Sequence, residues 1–341
     1  MRWILIFFGL ILNPILSHGQ EYQTEAGEVI FLSKASLNEF EGSFGQLKGL
    51  VDFDQNLLDF YIDLNTLKTG IGFRELERKL VNENQSVDLI FHVPRHINLL
   101  TVEPLDKNTL HFAIMHTFGP IGGGIRNLYG LDNGANIQFS FEYALTEKIS
   151  LGMARSSRDK FYNLFSRFHM LQQTRNNNVP LSVSLMGAAG VNSVNYQFMR
   201  ENAPFFADRT SFAAQLMLAR KFTDKLSIQL SPSMAYFVNP IQEYLIEGDQ
   251  QLYLAVGLLG KYKITGKSSL TFQWVPNLNS DLRNNLGLGI DIEAGGHVFQ
   301  MYFATSQALN EQYLLAGGNG IPGEGFRVGF NVNRVFATGR R

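Results

Sequence analysis

Six charged residues stand where they could act together inside a closed structure. Glu142, Arg155, Arg167, Asp291, Glu293 and Arg327 fall in segments whose apolar and polar residues alternate, and their spacing assigns all six to the polar, inward phase. Carboxylates and guanidiniums facing one another across a narrow interior pair up, because an unpaired buried ion is costly. Arranged as a ring, the same groups would select ions or gate a pore. A polar network that neutralises charge in a lumen is the expected role.

The other chemistry-bearing residue types do not fall into a working pattern. Cysteine is absent, which excludes disulfides, thiolate metal sites and a cysteine nucleophile. The seven histidines show no metal-ligand spacing. His92 and His96 come closest, but Pro94 between them argues against one helical face. His116, His169 and His297 sit on separate segments. Ser156 and Ser157 have no histidine and acid beside them in sequence, so a barrel hydrolase would have to assemble its triad across strands. Gly122-Gly123-Gly124 lacks the Lys-Ser/Thr of a phosphate loop and reads as a flexible external loop, as does the stretch from Gly317 to Gly325. The expectation is a non-enzymatic protein with no catalytic residue, no metal and no cofactor.

The elements that position these residues are strands. In 341 residues, 17% are charged and 45% hydrophobic, and Phe (28) and Gly (32) are abundant. Charge is below the usual quarter, and aromatics with glycine suit strands. A net charge of −1 gives no bulk attraction to nucleic acid. Mean hydropathy close to zero excludes a helical membrane protein. Arg2, the apolar run from Trp3 to Leu12, and the small residues Ser17 and Gly19 read as a signal peptide cut before Gln20. That run is too short to span a bilayer as a helix.

Residues 21 to about 108 read as a small periplasmic region. Strands are expected at Gly27 to Leu32, Phe40 to Gly49, Leu50 to Phe53, Leu57 to Leu64 and Val87 to Val93, with a helix over Phe73 to Asn84. The stretch Gly27-Glu28-Val29-Ile30-Phe31-Leu32-Ser33-Lys34-Ala35, then Phe40-Glu41-Gly42, Leu47-Lys48-Gly49 and Phe60 to Leu67, resembles the opening of the YceI-like family. The resemblance covers a truncated domain and implies a lipocalin-like segment with an isoprenoid lipid as partner.

From Leu110 the alternation lengthens into about twelve strands. They fall near 110–118, 135–145, 149–157, 160–173, 181–193, 212–222, 226–239, 251–264, 268–277, 285–294, 297–307 and 325–336. Short turns such as Thr146-Glu147-Lys148, Thr223-Asp224-Lys225 and Thr265-Gly266-Lys267 tend to alternate with long loops such as Gly119 to Gly134, Asn195 to Ser211, Pro240 to Gln250 and Gln307 to Gly325, the loop after the third strand being a short exception. That layout, with strands long enough to cross a bilayer at a tilt, is the layout of a transmembrane barrel. Phe118, Tyr143, Phe222, Tyr236, Phe237, Tyr262, Trp274 and Phe336 lie near strand ends, where interfacial rings are expected.

A second resemblance covers about 95 to 336. His116-Thr117-Phe118-Gly119, Leu128-Tyr129-Gly130-Leu131-Asp132, Gly152 to Ser157, Lys160-Phe161-Tyr162, Asp291 to Gln300 and Gly329 to Phe336 are similar to a Bacteroidota family of predicted membrane-bound β-barrels. The expected fold is all-β: an antiparallel transmembrane β-barrel of about twelve strands, preceded by a small β-rich periplasmic segment with one short helix. The expected divisions are a signal peptide at 1–19, the partial YceI-like segment at 20–94, the barrel at 95–336 and a tail at 337–341. The expected function is a non-enzymatic outer-membrane barrel, either a small-solute channel or a structural or docking element. The alternatives are a lipid-handling envelope protein and a barrel hydrolase. Outer-membrane lipids and the barrel insertion machinery are the expected partners, and nucleic acid is not.

Overall fold

The computed structural model describes residues 21–35, 38–52, 57–62, 67–69, 86–87, 89–195, 201, 203–239, 250–279, 284–317 and 325–338. The chain divides into two compact units, 1–80 and 81–341.

In the first unit β1 (Glu21–Ala35) pairs antiparallel with β2 (Asn38–Asp52). The other edge of β2 takes β3 (Leu57–Ile62) and β4 (Leu67–Thr69). The sequence reading divides β2 at Gly49, but the strand runs through it. Gly49 is paired on both sides, with Thr24 and with Phe60, and this pairing offsets the weak strand preference of glycine. The signal peptide expected at 1–19 and the helix expected over Phe73 to Asn84 lie outside the described residues.

In the second unit a short hairpin comes first, formed by β5 (Arg95–His96) and β6 (Leu99–Leu100). Twelve longer strands follow: β7 (Thr109–Pro120), β8 (Asn136–Ala144), β9 (Ile149–Ser156), β10 (Tyr162–Leu171), β11 (Ser182–Val191) and β12 (Thr210–Lys221). They continue as β13 (Leu226–Phe237), β14 (Leu252–Lys263), β15 (Ser268–Val275), β16 (Asn285–Ala294), β17 (His297–Ala304) and β18 (Arg327–Ala337). Each pairs antiparallel with the next, and β18 pairs with β7, so the sheet closes into a twelve-stranded barrel. Closure removes the edges that would leave backbone groups unpaired in lipid.

Period two decides which way each side chain points. Leu164, Leu185, Leu230, Leu288, Met301 and Phe303 stand exposed on the outside. Gln138, Ser140, Gln229, Gln273, Gln300 and Asn331 are buried inside. A soluble barrel would reverse these faces, so apolar-out and polar-in is the arrangement of a barrel in hydrocarbon. No described helix is long and apolar enough to cross a membrane.

The turns at one end share a device. The Thr146 hydroxyl accepts from the backbone N–H of Lys148 and Ile149, and Thr223 does the same for Lys225 and Leu226. Thr265 accepts from Lys267. A threonine that satisfies the turn's own donors favours a tight reversal. The connections after β7, β11, β13 and β17, at the other end, are the long ones, and the β10–β11 connection over 172–181 is an exception at the turn end.

Three expectations are corrected here. Val87 to Val93 forms no strand among its described residues; Val87 donates to the Gln173 carbonyl at 2.8 Å, and Phe91 N–H donates to the Glu103 carboxylate at 3.3 Å. Scattered partners of this kind replace a ladder. Phe237 faces inward instead of joining an interfacial ring, and packs against Tyr253 and Tyr313. The loop that follows β17 is not an external loop along its described length. Residues 305–317 turn into the barrel and carry a short helix, α1 (Glu311–Leu315), buried throughout. Of the Gly317 to Gly325 stretch, residues 318–324 lie outside the described residues.

Candidate functional site in the barrel lumen

The lumen is filled from both ends. From the turn end, the segment ahead of β7 enters as the β5–β6 hairpin, with Arg95, Ile97, Leu99, Leu100 and Thr101 all at most 2% exposed. From the loop end comes the α1 segment. Both fillers are held by polar side chains that the alternation aims inward.

The hairpin's backbone groups are met by strand side chains. Arg167 donates to the carbonyls of Thr101 and Glu103, each at 2.9 Å. Gln229 donates to the Leu100 carbonyl at 2.9 Å and accepts from Val102 N–H at 2.8 Å. Asn331 donates to the Ile97 carbonyl at 2.7 Å. In the opposite direction, His96 Nε2 donates to the Phe272 carbonyl of β15 at 3.1 Å. Backbone buried without such partners would cost the full desolvation of each group.

Two glycines make room for the hairpin tip. A Cβ at Gly287 would lie 3.0 Å from Ile97, and one at Gly257 would lie 2.9 Å from Leu99. Ile97 itself has φ +47°, a conformation that a β-branched residue adopts only under constraint. Packing in the Gly287 recess against Tyr302 and Ala304 supplies that constraint.

The α1 segment is fixed in the same manner. Asn310 caps the helix by accepting from Tyr313 N–H at 2.9 Å. Gln138 donates to the Leu309 carbonyl at 2.9 Å, Asn285 to Leu314 at 2.7 Å and Asn277 to Leu315 at 2.8 Å. The two fillers touch: Arg95 and Glu311 form an ion pair at 2.6 Å, and Asn98 donates to the Ala308 carbonyl at 3.1 Å.

The six residues singled out in the sequence fall in different places. Glu142 and Arg167 pair at 2.6 Å in the lumen, and Ser150 donates to the same carboxylate. Asp291 is buried, accepts from Gln300 at 3.2 Å and lies 3.9 Å from His92. Arg327 is buried on β18 and donates to the Thr305 carbonyl at 2.7 Å, bracing the start of the inward loop. Glu293 is half-buried where β16 ends at the turn. Arg155 is a correction: it shares the outward phase of β9 with Leu151 and Met153, and its guanidinium lies over the Tyr162 ring at 5.6 Å. The network thus joins strands to fillers, and Arg95 and Glu311, which no sequence pattern marks, are central to it.

Ser156 is buried and donates to Gln138 at 2.7 Å, and the Ser157 hydroxyl accepts from Ile137 N–H at 2.9 Å. Neither has a histidine as partner in these bonds, so the triad geometry of a serine hydrolase is not formed at this pair. In the loop between β9 and β10, burial pushes the Asp159 carboxyl up to about 6, against the opposing pull of Arg158.

Closure, apolar exterior and polar interior define a membrane-bound β-barrel. The chain belongs to the family described as "Membrane bound beta barrel domain (DUF5777)", whose model matches residues 91–336. The match starts inside the segment that fills the lumen. Among solved structures, the chain is similar to an outer membrane channel (COG4313) from Pseudomonas putida F1, at 13% identity over 69% of this chain and 98% of the other, with a TM-score of 0.43. It is similar to the NanC porin at 8% identity over 67% and 98%, TM-score 0.41. It is also similar to outer membrane phospholipase A from Escherichia coli at 15% identity over 71% and 94%, TM-score 0.36. At these identities and scores no activity transfers from any of them. Curated proteins include no match.

Proposed function

We propose that this chain is a non-enzymatic outer-membrane barrel that is sealed at rest and serves as a structural or docking element. Its turns and N-terminal unit face the periplasm, and its long loops face outward. Small solutes would cross only if the hairpin and α1 segment separated. The observation that carries this reading is the burial of Arg95 to Thr101 inside the barrel, with the carbonyls of Ile97, Leu100 and Thr101 bound by strand side chains. A conducting pore needs a continuous wet path. The burial of Ile97, Leu99 and Leu100 from one segment and of Tyr313 and Leu314 from the other supports a closed path.

Planar-bilayer recordings on the purified full chain test this. The expected result is a silent membrane at low voltage, with Arg95→Ala/Asn331→Ala giving frequent openings. Steady ohmic conductance from the unaltered protein would overturn the sealed reading in favour of an open channel.

A further inference from the structure

The outer wall is not uniform. Between β13 and β16 it carries a depression of about 600 Å³, walled by Leu226, Ile228, Leu258, Leu270, Phe272 and Leu288. Its floor is Gly260, on the outward phase of β14, paired with Ile228 on one side and Phe272 on the other. A Cβ at Gly260 would meet only Phe272, at 3.9 Å, so the missing side chain is what leaves the hollow. Large residues such as Leu164, Met301 and Phe303 stand on the outer wall elsewhere, and the outward Gly187 of β11 has no neighbouring walls within 4 Å of its Cβ position.

The depression lies toward the turn end. Leu226 opens β13, and Leu270 is near the start of β15. The turns just below it are Thr223-Asp224-Lys225 and Thr265-Gly266-Lys267. Lys263 ends β14 beside them, its backbone N–H donating to the Lys225 carbonyl at 2.8 Å. Against Lys225 and Lys267 these turns set a single acid, Asp224; Lys263 and, on the neighbouring β16, Glu293 both lie on the inward phase.

We propose that this groove is a binding site for an anionic phospholipid of the turn-side leaflet, with one acyl chain in the groove and the phosphate at Lys225 and Lys267. The surrounding medium is itself hydrocarbon, so burial of apolar area favours no occupant. What distinguishes the site is contact and charge. A chain lying in the hollow meets protein atoms on three sides instead of one and gains dispersion contacts that a flat wall does not offer. Lysines at an anionic membrane surface contribute about fivefold in affinity each, and they select for the headgroup.

The test is native mass spectrometry of the full chain, released from detergent after incubation with phosphatidylglycerol or phosphatidylethanolamine. The unaltered protein is expected to retain one phosphatidylglycerol and little phosphatidylethanolamine. Gly260→Leu fills the hollow and is expected to lower retention at least about threefold. Gly187→Leu adds the same bulk to an outward glycine of β11 with nothing within 4 Å, and is expected to leave retention unchanged. Lys225→Glu/Lys267→Glu is expected to lower the preference for phosphatidylglycerol at least about tenfold. Equal retention by the two leucine variants would overturn the site. So would a dimer in the unaltered protein that Gly260→Leu alone dissolves, which assigns the groove to a second copy. An unchanged headgroup preference in the double glutamate variant would overturn the anionic assignment.

Discussion

Arg95 and Glu311 meet at 2.6 Å inside the lumen, one carried by the segment ahead of the first barrel strand and the other by the loop ahead of the last. Both side chains are almost wholly shielded from solvent, at 2% and 0% exposure. Removing one partner strands the other charge, at a cost of about 3–5 kcal/mol, whereas replacing both with apolar groups is often neutral. Arg95→Met and Glu311→Leu are each expected to lower the midpoint of heat modifiability in detergent. The double variant is expected to recover most of the loss. Additive losses would show that the two charges are not coupled.

Absence of cysteine makes labelling clean. Ile125, on the loop after β7, is 71% exposed, and Asp224 lies in a short turn. Ile125→Cys is expected to react with a membrane-impermeant maleimide on intact cells, and Asp224→Cys only after the outer membrane is opened. The reverse pattern would invert the topology. A cysteine at Leu314 is expected to stay unreactive in both conditions, because α1 lies inside the barrel.

Leu288 stands on the outward phase of β16 and is exposed. Leu288→Arg is expected to cost about 2–4 kcal/mol near the bilayer midplane and to reduce assembled, heat-modifiable protein, whereas Leu288→Phe leaves it unchanged. Wild-type levels of assembled Leu288→Arg would mean that this face does not meet lipid. The neighbouring Gly289 is not a tolerant control: a Cβ there would lie 2.7 Å from the Met301 backbone oxygen, so Gly289→Ser is expected to impair assembly too.

Asp159 combines φ +56° with a carboxyl that burial raises to about 6. Its Oδ2 has no hydrogen-bond partner among the described residues. A folded value above the unfolded one means that the neutral form suits the fold. The associated stability is present below about pH 4 and is lost as pH rises through about 6. Asp159→Asn keeps a residue that tolerates the left-handed region and stays neutral. It is expected to raise the thermal midpoint at about pH 8 and to leave it unchanged at about pH 4. A gain of equal size at both values would assign the effect to something other than ionisation.

The first unit ends at residue 80, ahead of the residues that match the barrel family. Deleting residues 21–80 behind the N-terminal segment is expected to leave a barrel that inserts and remains heat-modifiable. Accumulation of the truncated chain in the periplasm would show that the first unit is needed for assembly. Lipid extraction from residues 21–108 alone tests the YceI-like resemblance, with little or no polyisoprenoid expected.

The barrel is legible in the sequence because lipid imposes a strict rule. In segments such as Phe326 to Val332 apolar residues recur at every second position, and the strands lie within a few residues of their expected bounds. The phase is harder to read at Arg155, whose segment alternates weakly because Gly152 and Ala154 carry little signal. The fillers are not legible at all. Ile97, Leu99 and Leu100 look like any short strand, and α1 looks like part of an external loop. What buries them is remote in sequence. Gln138, Asn285 and Asn331 lie on separate strands of the wall, and nothing local announces that their amides are aimed at these carbonyls.

The two strands that close the cylinder are also the two that carry its contents. The hairpin segment leads into β7, the α1 segment leads into β18, and β7 pairs with β18 along the seam. The wall and its inner segments therefore meet at one seam. Parting that seam would draw on both inner segments together, because Arg95 and Glu311 join the segments that lead into its two strands. On the sealed reading, closing the bore and finishing the barrel are expected to be coupled, so a chain with its inner segments unplaced would also have its last pair of strands poorly placed to join.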